Sequence, residues 1–548
     1  MDERKSSGLN TWTPLLFSLL LIIGMVLGFN LRDSLRNKRD IQAIIDRNDR
    51  LEQIIDLINE KYVDSVNSNL LFDDAIAGIL SHLDPHTVYI SANDLQSISE
   101  DMEGSFVGIG VEFSIVRDTI QVTSVIDGGP AQRAGINLGD KLIKVDDSIV
   151  AGRKISSATI IKMLRGKMHS KVFVTILSIE NAAEKKLLIQ RDAIPLYSLD
   201  VSLMLDEASH IGYMKLNRFS ATTYDEFKTA LTALKKKGMQ SLVLDLRGNP
   251  GGYLDAATKI AGEFLGSDKL IVYTEGKHSP RTEYKAENNG EFEKGKLVIL
   301  IDESSASASE ILSGATQDWD RGILVGQRSY GKGLVQDQFD LANGAALRLT
   351  VARYYTPSGR CIQRPYAKGK ENYVEEISSR FHGSRNDNDS FAKADTTKYF
   401  TQNKRVVYGG GGISPDVYVP RDTAFFSVPL FNLIFNDTTR LFVWEYFLAN
   451  KKSLAQYQSA TDFAKHFDGA QLSQMYVATL SPKWREQYRT IMKKPASKEY
   501  FELQLKARLA RFMFHDEGFY SVINPYDKVI KRALYLLNHD QYSKIISR

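Results

Sequence analysis

Residues 297–336 read LVILIDESSASASEILSGATQDWDRGILVGQRSYGKGLVQ. The apolar run Leu297–Ile301 has the length and composition of a buried strand in an α/β layer. Small residues follow, 304–309, and from Glu310 the apolar positions Ile311, Leu312 and Ala315 take helical spacing. Ser307 therefore stands where a strand hands over to a helix, and N–H groups at a helix N-terminus favour developing negative charge. A serine hydroxyl needs a base to become a useful nucleophile. The nine histidines all lie outside this stretch, and the base candidate within it is Lys332, between Gly331 and Gly333 just after the strand-like Ile323–Val325. A lysine serves as a base only when burial or neighbouring charge keeps its amine neutral. Gln336, four residues on, can hold that amine without adding a negative charge.

Ser307 and Lys332 are 25 positions apart. With S-A-S-A-S-E at 305–310 and G-K-G-L-V-Q at 331–336, the stretch resembles the carboxy-terminal processing peptidases, or tail-specific proteases. The resemblance implies Ser307 as nucleophile, Lys332 as base and Gln336 as its orienting partner. A second pattern in the stretch is Ser329-Tyr330-Gly331-Lys332, formally the S-x-x-K of penicillin-recognising enzymes. Those enzymes also need S-D-N and K-T-G, and neither occurs in this chain.

Upstream, 242–252 reads LVLDLRGNPGG, a buried strand running into a turn that glycine permits to approach a ligand closely. In the family this turn supplies an oxyanion donor. Carried over by resemblance, the two donors are the N–H groups of Gly252 and Ala308. A strand at 210–215, a helix at 223–236, a helix at 254–265 and a strand at 345–355 surround these motifs. Cys361 stands where the family usually has serine, and is expected to be structural.

From 104 to about 177 the pattern changes to short strands and turns. GIGVEF at 108–113, GPA at 129–131 with Ala134-Gly135, Gly139-Asp140, a helix at 157–164 and a strand at 172–177 follow the order of a PDZ domain. Such domains take a ligand as an added strand and capture its terminal carboxylate on loop N–H groups. By resemblance the capture loop is Phe106, Val107, Gly108, Ile109, Gly110 and Val111, with the helix near Ile160 and Leu164 as the facing wall.

The chain has 548 residues, 43% apolar and 25% charged, which fits several globular domains. Its net charge of +4 is too small for this length to imply nucleic-acid binding. A single cysteine excludes an intrachain disulfide framework and a cysteine-based zinc site. No H-E-x-x-H is present, so metal-dependent proteolysis has no support; no metal and no cofactor is expected.

Residues 12–31 are mostly apolar and about long enough to span a bilayer. No small-x-small site or cysteine follows, so an uncleaved anchor is expected rather than a removed signal or a lipoprotein. Arg4 and Lys5 precede the span, and Arg32, Arg36, Lys38 and Arg39 follow it, which by charge alone favours a cytoplasmic body. The resemblance favours an exported one, anchored in the bacterial inner membrane and working in the periplasm.

The fold expected is thus α/β: a crotonase-like or ClpP-like peptidase core with an inserted mostly-β PDZ domain and helical regions at both ends. The expected division is tip and anchor 1–34, helical region 35–103, PDZ 104–190, and core 191–420 with a mobile insertion at 367–405. A helical extension, 421–548, completes it. Its dense aromatic residues are expected in a core or subunit interface. The resemblance covers about 40–418 and implies a serine endopeptidase acting on envelope proteins with free apolar C-termini, with a homo-oligomer or an adaptor as partner. The alternative is an inactive PDZ scaffold that gathers proteins by their tails.

Overall fold

The computed structural model describes residues 50–381, 397–422 and 427–547, and it divides into two compact units at Leu83/Asp84. The expected anchor, 12–31, lies outside the described residues. Among the described residues no helix is long and apolar enough to cross a membrane. The first unit contributes two helices, 50–61 and Ser68–Leu80. Asn67 caps the second, its side chain accepting from the Asn69 N–H.

In the second unit the region expected to be the peptidase core is built on a six-stranded sheet. Its order is Leu199–Asp206, Ile211–Leu216, Ser241–Asp245, Lys296–Ile301, Ile323–Gly326 and Val417–Tyr418. The first pair is antiparallel and the rest run parallel. A parallel sheet must be covered on both faces, and the side chains alternate accordingly. Met214, Leu216, Leu242, Leu244, Leu297, Ile299 and Ile301 pack under the helices Thr223–Lys236, Leu254–Gly262 and Ala308–Asp318. On the other face, Tyr213, Val243, Val298, Leu300, Ile323 and Val325 meet Ile530, Ala533, Leu536 and Leu537 of the helix Lys528–Asn538. The chain's last helices therefore complete the core, which the expected boundary at 420 had cut away from them.

A second sheet is built on the long strand Ala346–Tyr355, which pairs with Val88–Ile90, Leu270–Glu275 and Leu334–Asp340. Residues 84–103, expected with the N-terminal helices, thus belong to the peptidase body. Asp84 fixes this entry: its carboxylate accepts from the His86 and Thr87 N–H groups at 2.9 and 3.1 Å and from Thr87 Oγ1 at 2.6 Å. The helix Ala92–Glu103 then leads into the PDZ domain. That domain is a six-stranded antiparallel sheet from Val111 to Gln190 with the helices Pro130–Arg133 and Ser157–Leu164.

Part of the segment expected to be a mobile loop is ordered. Lys370–Phe381 forms a helix, and Lys398–Phe400 pairs with Val406–Tyr408; residues 382–396 lie outside the described residues. The helix is held by charge rather than apolar periodicity. Glu376 meets Arg364 at 2.5 Å, Arg380 at 2.7 Å and Arg328 at 3.2 Å, and Tyr373 is buried.

The aromatic segment beyond 427 is a helical bundle with its own core, including Trp444, Phe447, Phe463, Tyr476 and Phe501. It packs on PDZ residues Val116 and Leu138 and adds Trp444 Nε1 to Gln121 Oε1 at 2.5 Å and Arg117 to Glu445 at 3.0 Å.

Candidate active site

Ser307 and the Gly251-Gly252 turn sit beyond the carboxyl ends of the adjacent strands Lys296–Ile301 and Ser241–Asp245. That end of a parallel sheet is where α/β folds commonly build sites. Two carboxyl groups, one buried and one half-buried, fix the loops. Burial alone would raise Asp245, but Arg247 at 2.6 Å and Lys215 at 3.6 Å hold it well below the usual carboxylate range. Asp302 Oδ1 accepts from the Gly248, Ser304 and Ser305 N–H groups at 3.0, 3.0 and 3.1 Å, tying the turn to the serine loop. Asn249 adds a third tie: its carbonyl accepts from the Ala306 N–H and from Ser309 Oγ, both at 3.0 Å.

The turn packs so closely that glycine is required. A Cβ on Gly251 would lie 2.9 Å from the Ala308 nitrogen and 2.9 Å from Ser307 Cβ, at a backbone φ of +98°. A Cβ on Gly252 would strike the Phe219 carbonyl. Among the described residues the N–H groups of Gly252 and Ala308 have no acceptor, whereas Gly251 N–H is taken by Asn249 Oδ1 at 2.9 Å.

Ser307 has φ 53° and ψ −110°, outside the favoured regions for an L-residue. What holds it is Glu310, the first-turn residue of its own helix. Glu310 Oε2 accepts from the Ser307 N–H at 2.8 Å and the Lys332 N–H at 2.9 Å. Its Oε1 accepts from Ser329 Oγ at 2.5 Å and the Gly331 N–H at 2.6 Å. Burial raises the Glu310 pKa despite these bonds. Ser329 is thus committed twice, also accepting from the Ile413 N–H at 2.6 Å, and is fully buried.

Lys332 Nζ donates to Gln336 Oε1 at 3.0 Å, and Gln336 Nε2 donates to the His86 carbonyl. Burial, then the charge of Arg348, lowers the Lys332 pKa; Glu310 and Asp84 oppose the shift without cancelling it. Among the described residues no hydrogen bond joins Lys332 Nζ to Ser307 Oγ, but both residues, with Gly252 and Gln336, line one cleft of about 670 Å³. Ile311, Leu334, Leu254 and Tyr354 give that cleft its apolar surface. Glu310 and Gly251 had not been singled out as site residues. The first had a readable signal, since Ser307-x-x-Glu310 has the spacing of a capping box.

The PDZ groove, about 300 Å³, is lined by Phe106, Gly108, Ile109, Gly110, Val111, Ile161, Leu164 and Arg165 among others. Two expected members are elsewhere. Ile160 is fully buried in the PDZ core, because positions 160 and 164 share the inner face of the helix while Ile161 turns outward. Val107 pairs with Ala193 in the strand Ser105–Gly108. The N–H groups of Ile109 and Gly110 have no acceptor among the described residues. Arg165 lies 4.3 Å over the Phe106 ring and 2.5 Å from Glu100, on the helix whose Ile98, Ser99, Met102 and Glu103 line the cleft that holds Ser307.

Residues 210–375 match Peptidase family S41, 96–177 the PDZ domain and 30–94 the Activating protease CtpB N-terminal domain. Residues 430–516 match a family of unknown function. A probable CtpA-like serine protease of Staphylococcus aureus (strain N315) is 32% identical over 352 residues, 64% of this chain and 68% of that protein. Its counterpart in Staphylococcus haemolyticus (strain JCSC1435) is 32% identical over 354 residues, covering 64% and 69%. Among solved structures, the photosystem II D1 C-terminal processing protease is 26% identical with a TM-score of 0.35, covering 67% of this chain and 86% of that one. On the S41 and PDZ matches and the CtpA-like serine proteases at 32% identity, the chain belongs to the carboxy-terminal processing peptidases, serine-type enzymes of family S41.

Proposed function

We propose that this peptidase cuts protein chains through Ser307, with Lys332 as general base, and chooses them by their C-terminal tails. The observation that carries the reading is a buried amine with a lowered pKa, held by an amide rather than a carboxylate, in the same cleft as Ser307. The neutral Lys332 amine takes the Ser307 proton as Oγ bonds to the substrate carbonyl carbon. The resulting oxyanion accepts from the Gly252 and Ala308 N–H groups. One such donor is typically worth about 3 kcal/mol of barrier. As the C–N bond breaks, the Lys332 ammonium returns its proton to the leaving amine. Water then attacks the acyl ester, Lys332 again accepting the proton, and Ser307 is restored with a new C-terminus released.

The PDZ groove supports the second half. Free N–H groups at Ile109 and Gly110, beside Ile161 and Leu164, suit a terminal carboxylate followed by apolar side chains. A tail held there raises the local concentration of the same chain at the catalytic cleft. Envelope substrates and a periplasmic body belong to the same proposal; they rest on the family resemblance, with the apolar span 12–31 as the anchor. Protease accessibility of the body in spheroplasts tests that placement; a body protected from external protease would contradict it. The catalytic half is tested with β-casein: Ser307→Ala and Lys332→Ala, both folded, should each abolish cleavage. Retained cleavage by either variant would refute it.

A further inference from the structure

We propose that the Tyr373 hydroxyl is a positioning group for Lys332, the node of two hydrogen-bonded arms, one ending on the lysine amine and one on the backbone N–H of the next residue. The proposal rests on the Ser307–Lys332 mechanism and adds to it a residue from the 370–381 helix. The first arm runs through the entry turn of the second unit. Tyr373 OH lies 2.9 Å from His86 Nε2; the His86 carbonyl accepts from Gln336 Nε2; and Gln336 Oε1 accepts from Lys332 Nζ at 3.0 Å. The second arm runs through Gln363. Its Nε2 donates to Tyr373 OH at 3.3 Å, and its Oε1 accepts from the N–H of Gly333, the residue after Lys332, at 2.8 Å.

Donor and acceptor roles along both arms follow from one fixed point. The Gly333 N–H can only donate, so the Gln363 atom it meets is the oxygen, and the atom facing Tyr373 is the amide nitrogen. The phenol oxygen therefore accepts from Gln363, and its own proton is free to go to His86 Nε2. That leaves His86 neutral, with its proton on Nδ1. Burial, and then the nearby Lys332, lower the His86 pKa to about 4, which agrees with a neutral ring wherever a neutral lysine is needed. In the same way Lys332 sets the Gln336 amide: its oxygen meets the ammonium or amine N–H, and its nitrogen meets the carbonyl.

Tyr373 can serve as a node because its helix is held independently of the lysine. The Arg364 guanidinium lies 4.3 Å from the Tyr330 ring and 3.9 Å from the Tyr373 ring. Three residues along the helix, Glu376 engages Arg364, Arg328 and Arg380. His86 packs edge-on to Tyr373 with ring centroids 5.5 Å apart. The segment that looks least like part of an active site in the sequence thus supplies the anchor for its base.

Tyr373→Phe tests this, since it keeps the ring and its stacking on Arg364 and removes only the hydroxyl. The full chain is assayed across pH with a quenched-fluorescence peptide bearing a free apolar C-terminus. A mispositioned base should lower kcat about ten-fold and change KM by less than about two-fold. The pH of half-maximal activity should move upward, because an amine less firmly enclosed regains its proton more readily. Combined with Gln336→Ala, the double variant should lose less than the product of the two single losses, since one arm acts through Gln336. A folded Tyr373→Phe enzyme with wild-type kcat and pH profile would overturn the proposal, as would fully multiplicative losses. Lys332→Ala, run in parallel, separates the two levels. If it is inactive while Tyr373→Phe matches wild type, only the positioning role fails; if it retains activity, the mechanism itself fails and the positioning role with it.

Discussion

Ser307 and Lys332, 25 residues apart in sequence, donate their backbone N–H groups to the same oxygen, Glu310 Oε2, at 2.8 and 2.9 Å. One buried carboxylate thereby sets the spacing of the Ser307 loop and the Lys332 loop. Glu310→Gln would turn an amide N–H₂ toward donors that need an acceptor. Activity on casein should fall about a hundred-fold. Denaturant unfolding should show a loss of about 2–4 kcal/mol, the cost of breaking a buried network. Unchanged activity would mean the loops are held by something else.

Ser329 offers the contrasting case. Its hydroxyl is spent on Glu310 and on the Ile413 N–H, and the proposed mechanism gives it no part. Ser329→Ala should lose about 1–2 kcal/mol of stability while its folded fraction still forms an acyl-enzyme on Ser307. Mass mapping of the labelled residue decides between them.

In the PDZ groove, Gly110 has φ +79°, so any side chain there strains the loop as well as crowding the ligand. Ile161, 41% exposed and lining the groove, is the cleaner probe. Ile161→Asp should remove an apolar contact worth about 1.5 kcal/mol, or roughly ten-fold in affinity. Initial rates on a free-acid substrate should fall toward those on its amide, which should not change. Equal wild-type rates on acid and amide would sink tail recognition.

His86 predicts an acid sensitivity. Its pKa falls from 6.5 to about 4 on folding, so between those values the unfolded chain binds a proton that the folded chain refuses. The stabilisation is complete above pH 6.5 and is lost as pH falls toward 4, by at most about 3 kcal/mol. Urea midpoints measured from pH 7 to 4.5 should fall less steeply for His86→Asn than for wild type. Parallel slopes would assign the acid loss to other groups.

The strands at 297–301 and 323–325 were legible as unbroken apolar runs and the helix at 223–236 by its periodicity, and the family motifs pointed to Ser307, Lys332 and Gln336, which line one cleft. The helix Lys370–Phe381 was not legible, since its fixed points are Tyr373, Glu376 and Arg380, a charged and aromatic face that looks like solvated loop. Ile160 and Ile161 show the limit of a one-residue assignment: on a helix they face about 100° apart, one into the core and one into the groove. The covering role of Ile530 and Leu536 depends on the strands Lys296–Ile301 and Ile323–Gly326, about 200 positions or more upstream, which no local pattern announces.

The most direct measurement of the central claim is the pH dependence of covalent labelling by a fluorophosphonate, with the modified residue identified by mass spectrometry. The account predicts labelling of Ser307 at a rate that rises with pH to a plateau, its midpoint below the ordinary lysine value of 10.5, and loss of labelling in folded Lys332→Ala. Modification of another serine, or of Ser307 at a rate indifferent to pH and to Lys332→Ala, would contradict it.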